Sequence, residues 1–203
     1  MRINKLSLSI VAVLAVIAFG FTASPLVKTN YTVNTKESKV EWKGEKVTGE
    51  HFGTINIKSG NLNYEDGKLT GGKIIVDMTS IVCTDLENAD YRAKLEGHLK
   101  SPDFFGVESH PEAVLEITKV YAQGTPDKYK VIGNLTIKEA TKEIKFYATA
   151  KEEDKKVTGN AEIVIDRTDF DVRYGSGSFF DNLGDKTIYD EFTLKVNLVT
   201  EAS

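Results

Sequence analysis

The chain has 203 residues, with 26 basic and 30 acidic side chains and a formal net charge of −4. Scattered lysines on a net-negative surface argue against nucleic-acid binding, which depends on clustered positive charge, and against docking on anionic membranes. The only cysteine, Cys83, cannot close an internal disulfide, so a hydrophobic core must hold the fold. We expect its thiol to be buried and inert.

Residues 1–23 have the pattern of a secretory signal peptide. Arg2 and Lys5 precede an apolar run from Leu6 to Phe21, and small residues follow. The run is shorter than the roughly 20 apolar residues of a membrane-spanning helix. We therefore expect cleavage near Ala23, a periplasmic or secreted product, and no stable membrane anchor afterwards. Residues 24–203 then form one domain with a net charge of −6, since residues 1–23 contain two basic residues and no acid.

After residue 28 the dominant pattern is an alternation of apolar and polar residues. It is most regular in seven runs: residues 38–44, 54–58, 73–78, 130–137, 143–150, 160–165 and 191–199. Such alternation indicates strands with one apolar face, and short polar turns between them indicate antiparallel neighbours. The pattern predicts an all-β, up-and-down antiparallel barrel of about eight strands. Closure removes both exposed sheet edges, and eight strands leave room for side chains or one small ligand.

Two segments depart from this alternation. Residues 85–100 have apolar residues near helical spacing and predict one amphipathic helix near one end of the barrel, with Asp85 as its N-cap. Pro102 should end this helix, because proline disfavours helical geometry in the residue before it. Residues 166–185 form a long, glycine-rich and aromatic-rich segment, and loops of this length usually serve a function or form a lid.

No motif for catalysis or metal binding stands out. His51, His98 and His110 lack the close, recurring spacing of a zinc site, although His98 and His110 could meet Asp103 in space. His98 more simply ends the helix, where a partly positive ring suits the negative end of the dipole. Ser176 and Ser178 lack the strand–turn–helix frame of a nucleophile elbow. We expect no catalytic residues, no metal and no cofactor other than a bound lipid.

Four motifs, in order along the chain, resemble the YceI-like family of exported bacterial proteins. They are residues 71–81 (GGKIIVDMTSI), residues 97–107 (GHLKSPDFFGV) followed by Pro111, residues 131–138 (VIGNLTIK) with Thr141-Lys142, and residues 165–172 (IDRTDFDV). The resemblance runs from about Tyr31 to Val199. Two positions depart from the family pattern: Gly106 stands where Asp is usual, and Glu139-Ala140 replaces a Lys-Gly type turn.

The resemblance implies an extended, lipocalin-like barrel with a helix at one end and a long apolar pocket. In some family members that pocket holds a polyisoprenoid or an isoprenoid quinone. The chain lacks the G-x-W start of true lipocalins, so that likeness concerns architecture, and likeness of fold does not settle function.

These observations predict a non-enzymatic protein that sequesters or transports a linear apolar lipid of isoprenoid type in the cell envelope. The candidate pocket residues are Val40, Trp42, Ile74, Val76, Met78, Leu95, Leu99, Phe104, Phe105, Phe146, Ile163, Phe179, Phe180, Leu194 and Val196. Arg92, Arg167 and Arg173 are candidates for a polar or pyrophosphate head group, because the guanidinium fork suits phosphate.

Two other functions stay open. One is an enzyme acting on a lipid or small molecule at the mouth formed by residues 166–185, using Asp166, Arg167 and Asp169. The other is a stress or interaction protein whose barrel is filled by its own side chains. A homodimer also stays open as the assembly state.

Overall fold

The computed structural model describes residues 26–202. It contains nine strands and one α-helix: β1 (Lys28–Val33), β2 (Lys39–Lys46), β3 (Gly49–Glu65), β4 (Lys68–Cys83), α1 (Ala89–Lys100), β5 (Glu112–Ala122), β6 (Lys128–Ile137), β7 (Ala140–Glu153), β8 (Lys156–Asp166) and β9 (Ile188–Ala202). The predicted signal peptide, residues 1–23, lies outside the described residues. Within the described part of the chain, no helix has the length and hydrophobicity needed to cross a membrane.

The strands form a closed antiparallel barrel, as the alternation predicts. Each strand from β3 to β9 pairs with the next along the chain, and β1 and β2 close the barrel by pairing with both β3 and β9. β1 pairs with one half of β3 and β2 with the other half, so the two short strands share a single position. The barrel therefore has eight positions built from nine strands.

A turn at residues 34–38 separates β1 from β2. The Asn34 side-chain oxygen accepts hydrogen bonds from the backbone N–H groups of Lys36 and Glu37, which is the Asx-turn geometry that interrupts a strand locally. The backbone N–H of Asn34 still bonds to the carbonyl of Val199 on β9. The wall is thus continuous across the turn.

The far end of the barrel, away from the helix, is solidly packed. Tyr31 and Tyr64 are 2% exposed, and their rings meet edge to face at 5.4 Å. They pack with a group of buried residues from β3, β4, β6, β7 and β8: Leu62, Leu69, Tyr129, Val131, Ala150 and Val157. These side chains close that end, so any opening into the interior lies elsewhere.

The helix is confirmed but begins later than predicted. The N-cap is Asn88, whose side-chain oxygen accepts hydrogen bonds from the N–H groups of Asp90 and Tyr91. Asp85 was expected in this role, and that prediction is wrong, because its carboxylate bonds to the backbone N–H of Phe52 and to His51 instead. The helix ends at the expected place, with Ser101 as C-cap just before Pro102.

One seam of the barrel is incomplete. β7 and β8 pair only from Ala148 with Ala161 to Glu153 with Lys156. The first half of β7 (residues 140–147) pairs with β6, and the last part of β8 (residues 162–166) pairs with β9, but no ladder joins these two segments. A salt bridge of 3.4 Å between Lys142 and Asp169 spans the top of the seam.

Candidate functional site

A cavity of about 340 Å³ occupies the end of the barrel nearest the helix. Its walls are residues of β2, β3, β4, β5, β6, β8 and β9, and its ceiling comes from α1 and the segments at residues 101–107 and 173–189. Polar side chains at this cavity, such as Glu45, Lys46 and Glu191, lie near its rim. Volumes of 300–1,000 Å³ are typical of small-molecule pockets, so this cavity is at the small end of that range.

A second, deeper compartment of about 110 Å³ lies between the first cavity and the packed far end. Six residues line both compartments: Val40, Val76, Ala113, Leu135, Ile165 and Leu194. The deeper walls are almost entirely aliphatic, with Phe146 as the only aromatic ring among them. The apolar tube inside the barrel therefore consists of two adjacent compartments with shared walls, the larger beneath the helix and the smaller next to the tyrosine-rich end.

The ceiling is built by the residues that follow the helix. Backbone N–H groups of Phe105 and Val107 bond to the carbonyls of Leu99 and Lys100, which folds this segment back under the last helical turn. Phe104 is 7% exposed, and its ring contacts those of Phe105 and His98 at 5.4 and 5.5 Å. These aromatic contacts hold the ceiling as one unit beside the cavity.

Arg167 fixes the opposite side of the mouth. Its side chain is 3% exposed, and its guanidinium lies 5.5 Å from the centre of the Phe104 ring. Its nitrogens donate to the carbonyl oxygens of Val172, Tyr174, Ile188 and Tyr189 and to the carboxylate of Asp190. Arginine has five N–H donors, so all of them are used within the protein.

Most of the predicted pocket residues line one of the two compartments. These are Val40, Trp42, Ile74, Val76, Met78, Leu95, Leu99, Phe104, Phe105, Phe146, Ile163, Leu194 and Val196. Phe179 and Phe180 do not: they are 46% and 51% exposed, and Phe179 lies under Arg173 at 4.7 Å. The aromatic composition of their loop predicted a throat, but the short turns at residues 173–180 leave both rings on the outer surface. Whether the lining residues bind a ligand stays a prediction.

None of the three head-group candidates offers a free guanidinium inside the cavity. Arg92 lies on α1 and donates to the carbonyl of Leu86. Arg173 is exposed and pairs with Asp171 at 2.7 Å. Arg167 borders the cavity, but its donors already hold the surrounding backbone. The sequence could not reveal that the donors of Arg167 are already used, because the carbonyls that they bind lie 5 to 22 residues away along the chain.

The acidic residues proposed for an enzyme at residues 166–185 have separate structural roles. Asp166 caps a short 3₁₀ turn (Arg167–Phe170) by accepting hydrogen bonds from the N–H and hydroxyl of Thr168. Asp169 is exposed and pairs with Lys142 on β7. Because the two carboxylates hold different neighbours and Arg167 is fully bonded, their arrangement favours a structural role over acid–base chemistry.

The site also includes residues that the sequence analysis did not select. His98 was interpreted as a helix end, with a metal group formed with His110 and Asp103 as the alternative, yet it lines the cavity and its ring meets Tyr174 edge to face at 4.4 Å. Ala113 and Leu135 line both compartments. Alternation along β6 could have identified Leu135. No local pattern marks a histidine in the last turn of an exposed helix as part of a cavity wall.

A group of three possible metal ligands lies at the mouth. The Nδ1 atom of His51 is 2.8 Å from Oδ2 of Asp85, and the Cys83 sulfur is 3.1 Å from Oδ1. Burial and the hydrogen bond to Asp85 raise the pKa of Cys83. Burial alone would raise the pKa of Asp85, but hydrogen bonds from His51, Phe52 and Cys83 outweigh it and lower that pKa. His98 and His110, considered with Asp103 from the sequence, are not part of this group.

A family model described as the YceI-like domain matches residues 31–200. A UPF0312 protein of Yersinia pestis (strain Pestoides F) is 29% identical over 134 residues, which cover 63% of this chain and 64% of that protein. A UPF0312 protein of Pectobacterium atrosepticum is 31% identical over 98 residues, covering 48% of this chain and 47% of that protein. The matches thus span less than two thirds of the curated relatives.

Solved structures share the fold over a larger part of the chain. The crystal structure of BcnA from Burkholderia cenocepacia has a TM-score of 0.66 and 22% identity, and the match covers 82% of this chain and 98% of that one. A polyisoprenoid binding domain from Saccharophagus degradans, implicated in plant cell wall breakdown, has a TM-score of 0.62 and 14% identity, covering 85% and 98%. At these identities the likeness concerns the fold alone.

Proposed function

The chain belongs to the YceI-like family, and from this premise we propose that it binds a linear apolar lipid of isoprenoid type inside its barrel. A similar fold is found in a protein described as a polyisoprenoid binding domain. The role proposed here is sequestration or transport by reversible burial, without chemical conversion of the guest. The observation that carries the proposal is the apolar tube of two adjacent compartments beneath α1, which share six lining residues.

The shape of the tube supports a guest with an apolar tail and a more polar head. The tail would lie along the aliphatic walls toward the packed far end. The head would remain at the rim, where Glu45, Lys46 and Glu191 lie. Each buried methylene contributes roughly 0.8 kcal/mol, so affinity should rise with tail length until both compartments are filled. Ordering costs offset part of this gain.

The size of the tube favours a short prenyl chain or the end of a long one. The deeper compartment, about 110 Å³, is separated from the larger by inward side chains that include Val76 and Leu135. A tail that reaches it must displace or pass between these side chains. The proposed guest is therefore long and thin, since a fused ring system would not pass this narrow part.

A fluorescence titration tests the proposal directly. Trp42 is the single tryptophan of the chain, and it lines the larger compartment. A prenyl quinone bound there should quench its emission saturably, and a longer prenyl tail should bind more tightly than a shorter one. The same quinone ring without a tail is the control and should quench only weakly. Equal quenching by all three compounds would contradict binding in the tube.

We also propose that the protein acts outside the cytoplasm, on the basis of the signal-peptide pattern of residues 1–23. Fractionation of the native host, with N-terminal sequencing of the purified protein, tests this. A mature chain that begins near residue 24 in the periplasm or culture medium is expected. An intact Met1 start on protein in the cytoplasmic fraction would contradict export.

A further inference from the structure

We propose that His51, Cys83 and Asp85 form a zinc-binding site at the mouth of the barrel. Their candidate ligand atoms all lie within 4.8 Å of one another. The site is distinct from the lipid tube: only His51 of the three also lines the cavity. The inference does not depend on the proposed lipid function, because it rests on a separate set of side chains.

The sheet register brings these residues together. Gly53 on β3 pairs with Cys83 at the end of β4, and the N–H of Thr84 bonds to the carbonyl of Phe52. Continued by two residues, this antiparallel register places His51 opposite Asp85. Residues two apart on a strand share one face, so Cys83 and Asp85 point the same way as His51. The cluster follows from the backbone pairing and needs no rearrangement of the fold.

The pairing also requires a glycine beside the cluster. A side chain on Gly53 would overlap the carbonyl oxygen of Val82, which would lie 1.8 Å from its Cβ. The Trp42 indole N–H donates to this same oxygen at 3.2 Å. The backbone of β3 and β4 is therefore held in close contact next to Cys83, and the three side chains have little freedom to separate.

The donor set fits zinc better than other common ions. Zinc accepts thiolate, imidazole and carboxylate together, whereas calcium and magnesium need oxygen ligands alone and copper(I) prefers soft ligands. A thiolate and a carboxylate would balance the two positive charges of the ion. A water molecule would supply the fourth ligand, as in sites with three protein ligands.

The distances are compatible with small movements. Tetrahedral zinc bonds of about 2.0–2.3 Å hold ligand atoms roughly 3.3–3.5 Å apart. His51 Nδ1 now lies 2.8 Å from Asp85 Oδ2 and the Cys83 sulfur lies 3.1 Å from Asp85 Oδ1. No pair of the candidate ligand atoms is more than 4.8 Å apart, so shifts of about 1 Å would bring them to the tetrahedral separations. Metal binding displaces the thiol proton, which now points to Asp85, and leaves the imidazole neutral.

A zinc ion could reach the cluster from solvent, and hydrogen bonds hold the residues of the cluster in place. The His51 side chain is 30% exposed and that of Asp85 is 13% exposed, whereas Cys83 is buried behind them. The backbone N–H of Phe52 donates to Asp85 at 2.9 Å, and the N–H of Cys83 donates to Glu96 on α1 at 2.9 Å. Such outer contacts orient the ligands of a metal site. Glu96 also adds negative charge close to the ion.

The test uses tag-free, chelator-treated protein titrated with Zn²⁺ by calorimetry and with Co²⁺ by absorption spectroscopy. We expect one Zn²⁺ per chain, and a thiolate-to-Co²⁺ charge-transfer band that reports the sulfur ligand. Cys83→Ser should remove this band. Cys83→Ser, His51→Gln and Asp85→Asn should each weaken Zn²⁺ binding by more than about 100-fold, beyond the 10–100-fold effects of outer contacts.

His110→Gln is the matched control, because His110 lies outside the cluster, and it should leave Zn²⁺ binding unchanged. His51→Gln is the decisive variant if Cys83→Ser does not fold, since His51 is the most exposed ligand of the three. Failure of the folded wild-type protein to bind Zn²⁺ would overturn the proposal. Equal Zn²⁺ binding by wild type and His51→Gln, or loss of binding in His110→Gln, would also overturn it.

Discussion

At the scale of single residues, Arg167 ties the segment after β8 to the barrel. Four backbone carbonyls and Asp190 accept its hydrogen bonds in a buried setting. Removing the guanidinium would leave these acceptors unpaired, and unpaired buried polar groups are costly. Water cannot replace the lost hydrogen bonds to these carbonyl oxygens while the core around them stays packed.

We therefore expect Arg167→Met to lower the free energy of unfolding by about 3–5 kcal/mol, as when a buried charged partner is removed. Urea denaturation followed by circular dichroism measures this. Arg173→Ala is the matched control: its side chain is exposed and pairs only at the surface, so a change within about 0.5 kcal/mol is expected. Equal effects of the two substitutions would contradict the structural role of Arg167.

Tyr31 gives a prediction about alkaline pH. Burial raises its pKa to about 12, and the hydrogen bond from its hydroxyl to the Glu152 carboxylate adds to the shift. An unfolded tyrosine titrates near 10, so the folded state keeps a proton that the unfolded state loses. This contribution to stability is complete below about pH 10 and is lost as the pH rises through about 12.

Tyr31→Phe should make the fall in unfolding free energy between pH 10 and 12 shallower than in the wild type, and Glu152→Gln should have an intermediate effect. Urea denaturation at a series of pH values provides the measurement. If Tyr31→Phe leaves the fall of the unfolding free energy between pH 10 and 12 unchanged, groups other than Tyr31 determine this pH dependence. Tyr64 contributes in the same direction, because burial raises its pKa too, so the slope should not vanish entirely.

Single pocket residues could be predicted from the sequence where a local pattern, the alternation along a strand, indicates which side chains point inward. Most predicted pocket residues come from alternating strands, and they do line the cavity. Phe179 and Phe180 were predicted at the throat but lie on the outer surface, because aromatic composition does not indicate the direction in which a loop turns. Arg167 and the pairing of His51 with Asp85 depend on contacts between distant parts of the chain. Cys83 is buried, as expected, but strand pairing also places it beside Asp85, which holds His51.

At the scale of secondary structure, the incomplete seam between β7 and β8 is the least regular part of the wall. Residues 140–147 and 162–166 face each other without a ladder, while Ala148–Glu153 pairs normally with Lys156–Ala161. Ile163 and Ile165 stay buried on the inner side. Side chains rather than backbone hydrogen bonds therefore keep this part of the wall closed.

Amide hydrogen exchange should detect the missing ladder between the upper parts of β7 and β8. Along residues 140–147 and 162–166, the alternate amides that point into the seam should exchange faster than their neighbours, because they lack partner-strand acceptors. Amides of Ala148–Glu153 that point toward β8 are the internal control and should be protected. Nuclear magnetic resonance resolves this residue by residue. Uniform protection along both strands would mean that the ladder continues to the top of the barrel.

The sequence predicted the number and direction of the strands better than their ends. Eight positions and an up-and-down order followed from alternation and short turns. β1 (Lys28–Val33) and β5 (Glu112–Ala122) were not among the seven regular runs. In β5 the pairing register shifts between Ile117 and Lys119, which changes the phase of the alternation. The late start of α1 has a similar cause, since Asp85 is used by a tertiary contact that local capping rules ignore.

At the scale of the whole molecule, the barrel combines a solid end with a hollow one. The filled-barrel alternative describes the tyrosine-rich end, and the hollow-barrel prediction describes the end beneath the helix. The same eight positions produce both, because large rings such as Tyr31 and Tyr64 fill one end, whereas aliphatic residues line the middle of the barrel and the rings at the helix end stand around a cavity. Alternation alone could not predict this division, since it identifies inward positions but not the space left between them.

A bulky substitution inside the hollow end should weaken lipid binding while the protein still folds. Ala113 lines both compartments and is 6% exposed, so Ala113→Phe would place a ring where they meet. Displacing two methylenes of a guest, at about 0.8 kcal/mol each, should weaken prenyl-quinone binding by about tenfold or more. Ala122→Phe, on an exposed part of β5, is the control and should bind as the wild type does. Trp42 quenching and thermal unfolding measure the two effects.

Equal quinone affinity of Ala113→Phe and Ala122→Phe would show that the quinone binds outside the tube. Loss of folding in Ala113→Phe would be visible as a lower unfolding temperature, and Ala113→Leu would then serve as the milder substitution at the same position.

Native mass spectrometry of the protein purified from its own host, followed by lipid extraction, asks most directly whether the tube holds a guest. A polypeptide peak with an added mass, released into organic solvent as a prenyl lipid or prenyl quinone and reduced in Ala113→Phe, is the expected result. A bare polypeptide mass that stays unchanged after incubation with prenyl quinones would contradict the proposal that this barrel exists to shelter an apolar chain.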